Sequence, residues 1–200
     1  MEDDFYKTIE TNSEGFFKDR KSKFYGFAFP VKTEDEIKEI QQELRKKYYD
    51  ARHHVYAYRL GAYKDVFRAS DDGEPSNSSG PPILGQIKSY DLTNILIIVV
   101  RYFGGKKLGV PGLINAYRTA ADEAIKNNKI IVKTIDDTLD INFGYNQMNF
   151  VMNIASEEGV KIIEQDFTAT CKIKLSIRKN KTDEVVNQLT KLGIRDFTTS

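Results

Sequence analysis

The sequence predicts an α+β protein built as two domains, residues 1–135 and 136–200. Three observations carry that expectation. The apolar run "ILIIVV" (Ile95–Val100) has no polar face, as a strand buried on both sides requires. Amphipathic segments with a 3.6-residue period stand before and after it. From Thr138 onward the patterns follow the order β-α-β-β-α-β, the split βαβ or ferredoxin-like arrangement.

The bulk numbers agree with a globular chain. Two hundred residues, 40% hydrophobic and 30% charged, suffice for one large core or two small ones. A formal net charge of +1 gives no global pull toward nucleic acid or membrane, so any such attraction has to come from local patches. Up to Ile135 there are 22 basic and 19 acidic residues, and after it 8 and 10, so the halves carry +3 and −2. The start, "MEDDFYKTIETN", lacks the basic and apolar character of a signal peptide. The longest apolar run is too short to cross a bilayer. A lone cysteine, Cys171, fits a reducing compartment. The expectation is a cytoplasmic protein with no membrane partner.

In chain order, "SKFYGFAFPV" (Ser22–Val31) reads as a strand ended by proline. "TEDEIKEIQQELRKKYY" (Thr33–Tyr49) reads as a helix, with Thr33 and Glu36 as a capping box and Ile37, Ile40, Leu44 and Tyr48 on one face. "HHVYAYRL" (His53–Leu60) and "DVFRA" (Asp65–Ala69) form a hairpin across Gly61. "PPILGQIKSY" is a short helix opened by proline, and after the buried strand a helix runs from about Pro111 to Asn128, with Leu113, Tyr117, Ala120 and Ala124 on one side. Beyond the boundary come a strand over Thr138–Tyr145, a helix ended by Gly159, a hairpin, a helix stopped by Gly193, and a short last strand. In the hairpin Cys171, Ile173, Leu175 and Ile177 point one way, and Lys172, Lys174, Ser176 and Arg178 the other. That second face is either solvated or a basic docking surface.

Two loops stand out. "SDDGEPS" holds three carboxylates, Asp71, Asp72 and Glu74, just after Ser70. "RYFGGKKLGVPG" holds Gly104, Gly105, Gly109 and Gly112 beside Arg101, Lys106 and Lys107. The glycine loop is either an anion nest at a helix start or a tight turn with solvated lysines. It carries neither a P-loop nor G-x-G-x-x-G, and no nucleotide cofactor is implied. The acidic loop can hold a hard cation, act as an acid/base pair, clamp a neighbouring lysine, or simply turn the chain. EF-hand spacing is absent, and His53 and His54 face opposite sides of a strand, so no metal site and no catalytic residue is assigned. Cys171 alternates into the apolar face as a core residue.

At these loops the chain resembles a known family. "ASDDGEPS", "GPPIL" and "NILIIVVRYFGGKKLG…GLINAYRTAA", supported by "KSKFYGFAFPV" and "ARHHVYAYRLG", are similar to the IMPACT family and its bacterial YigZ-type branch. The resemblance spans essentially the whole chain. It implies an N-terminal domain similar to a domain of a small-subunit ribosomal protein, around a β-α-β core. It also implies a ferredoxin-like C-terminal domain similar to the last domain of translation elongation factor G. Eukaryotic relatives regulate a stress-responsive kinase acting on translation initiation. No established catalytic residue comes with the family. Position by position the resemblance carries His53, Ser70, Asp71, Asp72, Gly73, Glu74 and Pro75, then Gly80 and Arg101, Tyr102, Phe103, Gly104, Gly105, Lys107, Leu108 and Gly109. Asn77, Ser78 and Ser79 depart from the usual Gly-Thr-Ala, Val110 and Pro111 stand where Thr-Gly is common, and Val55 where cysteine often sits. Proline removes one amide from the Gly109–Gly112 backbone.

Together these readings imply a non-enzymatic, translation-linked regulatory factor. It would bind RNA, the ribosome or a translation-associated protein through one hollow formed by both loops, with Lys106 included. Lys172, Lys174 and Arg178 of the C-terminal sheet are a candidate second contact for nucleic acid. The alternative is an enzyme acting on a small anionic ligand at the same loops.

Overall fold

The computed structural model describes residues 4–168 and 170–200. Two compact units emerge, one from Tyr6 to Lys133 and the other from residues 4–5 together with Thr134–Ser200. The chain begins with β1 (Phe5–Ile9), β2 (Ser13–Asp19), β3 (Ser22–Pro30), α1 (Glu34–Lys47), β4 (His53–Leu60) and β5 (Val66–Ser70). It continues with α2 (Gly80–Ser89), β6 (Ile95–Tyr102), α3 (Gly109–Lys126) and β7 (Ile130–Thr134).

Five of these strands make an antiparallel sheet in the order β2-β3-β6-β4-β5, with β6 at its centre. Its two faces have separate cores. Ile37 and Leu44 of α1 meet Phe27, Tyr58, Leu96, Ile98 and Val100 on one face. On the other, α2 and α3 lie against Phe24, Val55, Ile95, Ile97 and Val99. That double cover explains why "ILIIVV" has no polar side. α3 comes close to the sheet because Gly15 and Gly26 leave room for it: a Cβ on Gly26 would lie 2.4 Å from the Ala120 carbonyl oxygen. α1 is capped as its sequence asks. Thr33 Oγ1 accepts the Glu36 amide at 3.2 Å, but the Glu36 carboxylate reaches back to the amide of Lys32 rather than Thr33.

The unit is larger than a β-α-β core. β1 and β7 pair in a two-stranded sheet and β2 closes one edge of the large one, none of which the residue patterns announce. The reason is burial. β7 is mostly exposed and β2 buries only Gly15 fully, so neither develops a strong apolar alternation.

The second unit holds β8 (Asp136–Phe143), α4 (Met148–Ala155), β9 (Val160–Asp166), β10 (Cys171–Arg178), α5 (Thr182–Lys191) and β11 (Phe197–Thr199). Its sheet runs β11-β8-β10-β9, so β10 lies between the two strands that α4 connects, the ferredoxin-like order. Leu139, Ile141, Ile173, Leu175 and Ile177 face Val151, Ile154, Val185 and Leu189 of the helices. Cys171 is buried among them.

The opposite face is not a basic surface, which corrects the reading from β10 alone. The register sets Lys172 opposite Asp166, Lys174 opposite Asp140 and Glu164, and Arg178 opposite Asp136. With Lys161 opposite Ser176, the four basic residues of this face meet four acidic ones. Arg178 is further bound to Asp4 through Nε and Nη2, at 2.6 and 3.0 Å. Cross-strand carboxylates neutralise what a single strand advertises. Among the described residues no helix is long and apolar enough to cross a membrane.

Candidate functional site

The acidic turn is built from the inside by its first two carboxylates. Asp71 Oδ1 accepts hydrogen bonds from the amides of Ser79 and Gly80 and from Ser79 Oγ, at 3.0, 2.9 and 2.7 Å, and Oδ2 accepts the Asn77 amide at 2.8 Å. Asp71 thus caps α2 from outside the helix, a task Ser79 leaves open. Burial pushes the Asp71 carboxyl up, but the donors from Ser79, Gly80 and Asn77 outweigh it and hold the group below its ordinary value of 3.8. Asn77 sits at φ +60°, the left-handed region that asparagine tolerates better than most, so it can replace a glycine there.

A depressed carboxylate stabilises the fold above its unfolded value, and that contribution drains away as pH falls through the lower folded value. Asp71→Ala should therefore cost about 2–3 kcal/mol at neutral pH. Its urea midpoint, compared with that of the parent, should converge as pH drops below 3.8. An unchanged difference down to the acid limit would show that the charge is not what holds the turn.

Asp72, at φ +43°, also turns inward. Oδ1 accepts from Arg45 Nη2 of α1 at 2.7 Å and Oδ2 accepts the His54 amide at 2.6 Å. Its carbonyl oxygen lies 2.9 Å from His53 Nδ1, so that nitrogen carries the proton. The other ring nitrogen, Nε2, is left 4.0 Å from Glu74 Oε1. Ser70 Oγ only supports the turn, accepting the Asp72 amide at 3.4 Å.

Glu74 alone reaches the second loop. Its side chain is 4% exposed, and Oε1 accepts from Arg101 Nη1 at 2.6 Å and from the Tyr117 hydroxyl at 2.7 Å. The carboxylate therefore clamps an arginine from β6 rather than a lysine from the glycine loop. Burial, the Glu74 charge and this hydrogen bond push the Tyr117 hydroxyl far above its ordinary value. The Arg101 guanidinium lies over Phe24 and Phe103, 5.5 and 5.6 Å from the ring centres, and its buried Nε has no hydrogen-bond partner.

The glycine loop is held by close approach. The Gly104 amide donates to Ser22 Oγ at 3.1 Å, and a Cβ there would lie 2.1 Å from the Lys21 carbonyl carbon. Gly104 is thus no free amide of an anion nest, which corrects that expectation. Gly105 and Gly109 turn the chain at φ +84° and +74°. The contact brings the β2–β3 hairpin tip, Arg20-Lys21, against the loop, and Arg20 Nη1 reaches the Lys107 carbonyl at 3.5 Å.

Two clefts meet at this loop. One, of about 370 Å³, has Glu74 and Arg101 among its lining with Pro75, Phe103, Lys107, Gly109 and Leu113. A second, of about 530 Å³, is lined by Arg20, Lys21, Gly104, Gly105 and Lys106. A third, of about 560 Å³, lies between Asp50, Arg52, His53 and Arg101–Phe103. His53, Glu74, Arg101, Phe103, Lys107 and Gly109 are therefore brought together. Tyr102 lines the third cleft, its hydroxyl donating to Asp50 at 2.6 Å, and not the first two. Lys172, Lys174 and Arg178 belong to the other unit. Residue patterns miss Tyr117, Arg45, Arg20 and Lys21. The one signal that could have found the last two is the cationic string "KDRKSK" (Lys18–Lys23).

An antiparallel sheet covered on both faces, with an internally bonded acidic turn clamped through Glu74 to the β6 and α3 elements that flank a glycine-rich loop, defines the class of domain. Residues 20–125, which contain both loops, match the Impact N-terminal domain. The chain belongs to the IMPACT family. It is similar to IMPACT family member YvyE of Bacillus subtilis, 28% identical over 187 residues, which cover 94% of this chain and 86% of the relative. It is also similar to YigZ of Escherichia coli, 29% identical over 167 residues and 82% of either chain. A solved structure described as a hypothetical protein aligns over 98% of this chain and 96% of its own, with a TM-score of 0.73 at 25% identity.

Proposed function

We propose that this chain is a non-enzymatic, translation-linked regulatory factor that contacts RNA or the ribosome through the face formed by the glycine loop, the acidic turn and the β2–β3 tip. The link to translation rests on the resemblance to the IMPACT family. The observation that carries the contact is a charge imbalance. Asp71, Asp72 and Glu74 are all engaged by donors of the fold itself. Among the described residues no ion pair engages Arg20, Lys21, Lys106 or Lys107. A face whose carboxylates are consumed inward and whose cations have no carboxylate partner attracts polyanions. The same bonding argues against acid/base work, because Glu74 is fixed against a permanently charged guanidinium.

Co-sedimentation of the full chain with purified ribosomes tests this. Binding is expected at low salt, declining steeply as salt rises, and abolished by Lys106→Glu with Lys107→Glu. No binding to ribosomes or free RNA at low salt, or binding indifferent to that charge reversal, refutes it.

A further inference from the structure

The two clefts that meet at the glycine loop differ in chemistry and are joined by the chain itself. The glycine-loop side is cationic, with Arg20, Lys21 and Lys106 converging on Gly104 and Gly105. Asp19 is the one carboxylate of the hairpin tip. The other side is walled by Pro75, Phe103, Leu108, Val110 and Leu113, with Lys107 at its edge. Phe103 and Gly105 are two residues apart, so their Cα atoms lie within about 7 Å and the chain walling the apolar cleft runs directly into the cationic hollow.

Phe103 is poised as a platform. Its ring is 58% exposed, far more than a core phenylalanine, while the Arg101 guanidinium covers it at 5.6 Å. Arg101 is itself fixed by Glu74, so the ring is supported from below by a rigid cation and open on the remaining side. Next to it, buried Arg101 Nε is an unused donor.

Resting on the RNA contact argued above, we propose that this face takes single-stranded RNA, stacking one unpaired base on Phe103 within the apolar cleft and seating the flanking phosphates on Arg20, Lys21 and Lys106. A duplex keeps its base faces stacked on one another and can offer only phosphates, so it would use the cationic hollow and leave the apolar one empty. Stacking on a side-chain ring also tolerates any base, so the site selects strandedness rather than sequence.

Fluorescence anisotropy of the full chain with a labelled single-stranded RNA, and with the duplex of the same length, tests the proposal. The single strand should bind more tightly. Phe103→Ala should weaken the single strand by about 5- to 150-fold and leave the duplex unchanged, and Phe103→Tyr should retain binding. Lys21→Glu should weaken both RNAs and lower the single-strand salt slope by about 0.7 for each phosphate no longer neutralised. Equal or tighter duplex binding, or an indifferent Phe103→Ala, overturns the base site while the charge contact stands, provided Lys106→Glu with Lys107→Glu still abolishes binding. Failure of both RNAs to bind at low salt overturns the base site and the RNA contact together.

Discussion

Glu74→Ala is expected to destabilise the first unit by about 3–5 kcal/mol, because it leaves the Arg101 charge buried and unpaired. Arg101 is 7% exposed and its Nη1 lies 2.6 Å from Glu74 Oε1, so little water reaches the charge that the missing carboxylate would leave. The Tyr117 hydroxyl, fully buried, is deprived of its acceptor in the same step. Thermal or urea unfolding reads the change directly. Glu74→Leu combined with Arg101→Met and Tyr117→Phe removes both charges and the orphaned hydroxyl and should recover most of the stability. A cost below about 1 kcal/mol for Glu74→Ala, the scale of exposed pairs, would mean the pair is solvated and the cleft floor open.

Gly104→Ala should be nearly as damaging, and Gly105→Ala far less so. At Gly104 a Cβ meets backbone atoms of Lys21 and Ser22 at 2.1–2.4 Å, and backbone cannot swing aside as a side chain can. Overpacking of this kind costs about 3 kcal/mol. It also drives the hairpin tip away from the glycine loop, so the proposed RNA contact should weaken along with stability. At Gly105 nothing lies within 4 Å, and only the left-handed backbone at φ +84° penalises a side chain, by about 1–2 kcal/mol. Equal losses for the two alanines would show that the Lys21–Ser22 backbone gives way and that close contact does not make the first glycine necessary.

Much of the architecture was legible because burial writes periodicity. β6 is apolar on both sides, α1, α4, α5, β8 and β10 each present an apolar face of the right period, and their stops are local. β1, β2 and β7 were not, since backbone pairing orders them more than side-chain burial does. The site was legible only as two loops of unusual composition. Which carboxylate would go inside was not. Glu74 binds Arg101, 27 residues away, and Tyr117, 43 residues away, and no local pattern encodes partners that distant. The C-terminal sheet erred for the same reason, because the charge of a face depends on strands that register beside it.

The β2–β3 connection carries one more consequence. Asp19 pairs with Ser22, leaving Arg20 and Lys21 as a two-residue loop with both φ values positive, +44° and +69°. Asn-Gly is the pair best suited to such a bend. Installing it would make the fold sturdier and weaken the proposed polyanion contact, since two positive charges vanish as the bend relaxes. On the proposed RNA contact, durability and affinity are therefore set against each other at a single dipeptide.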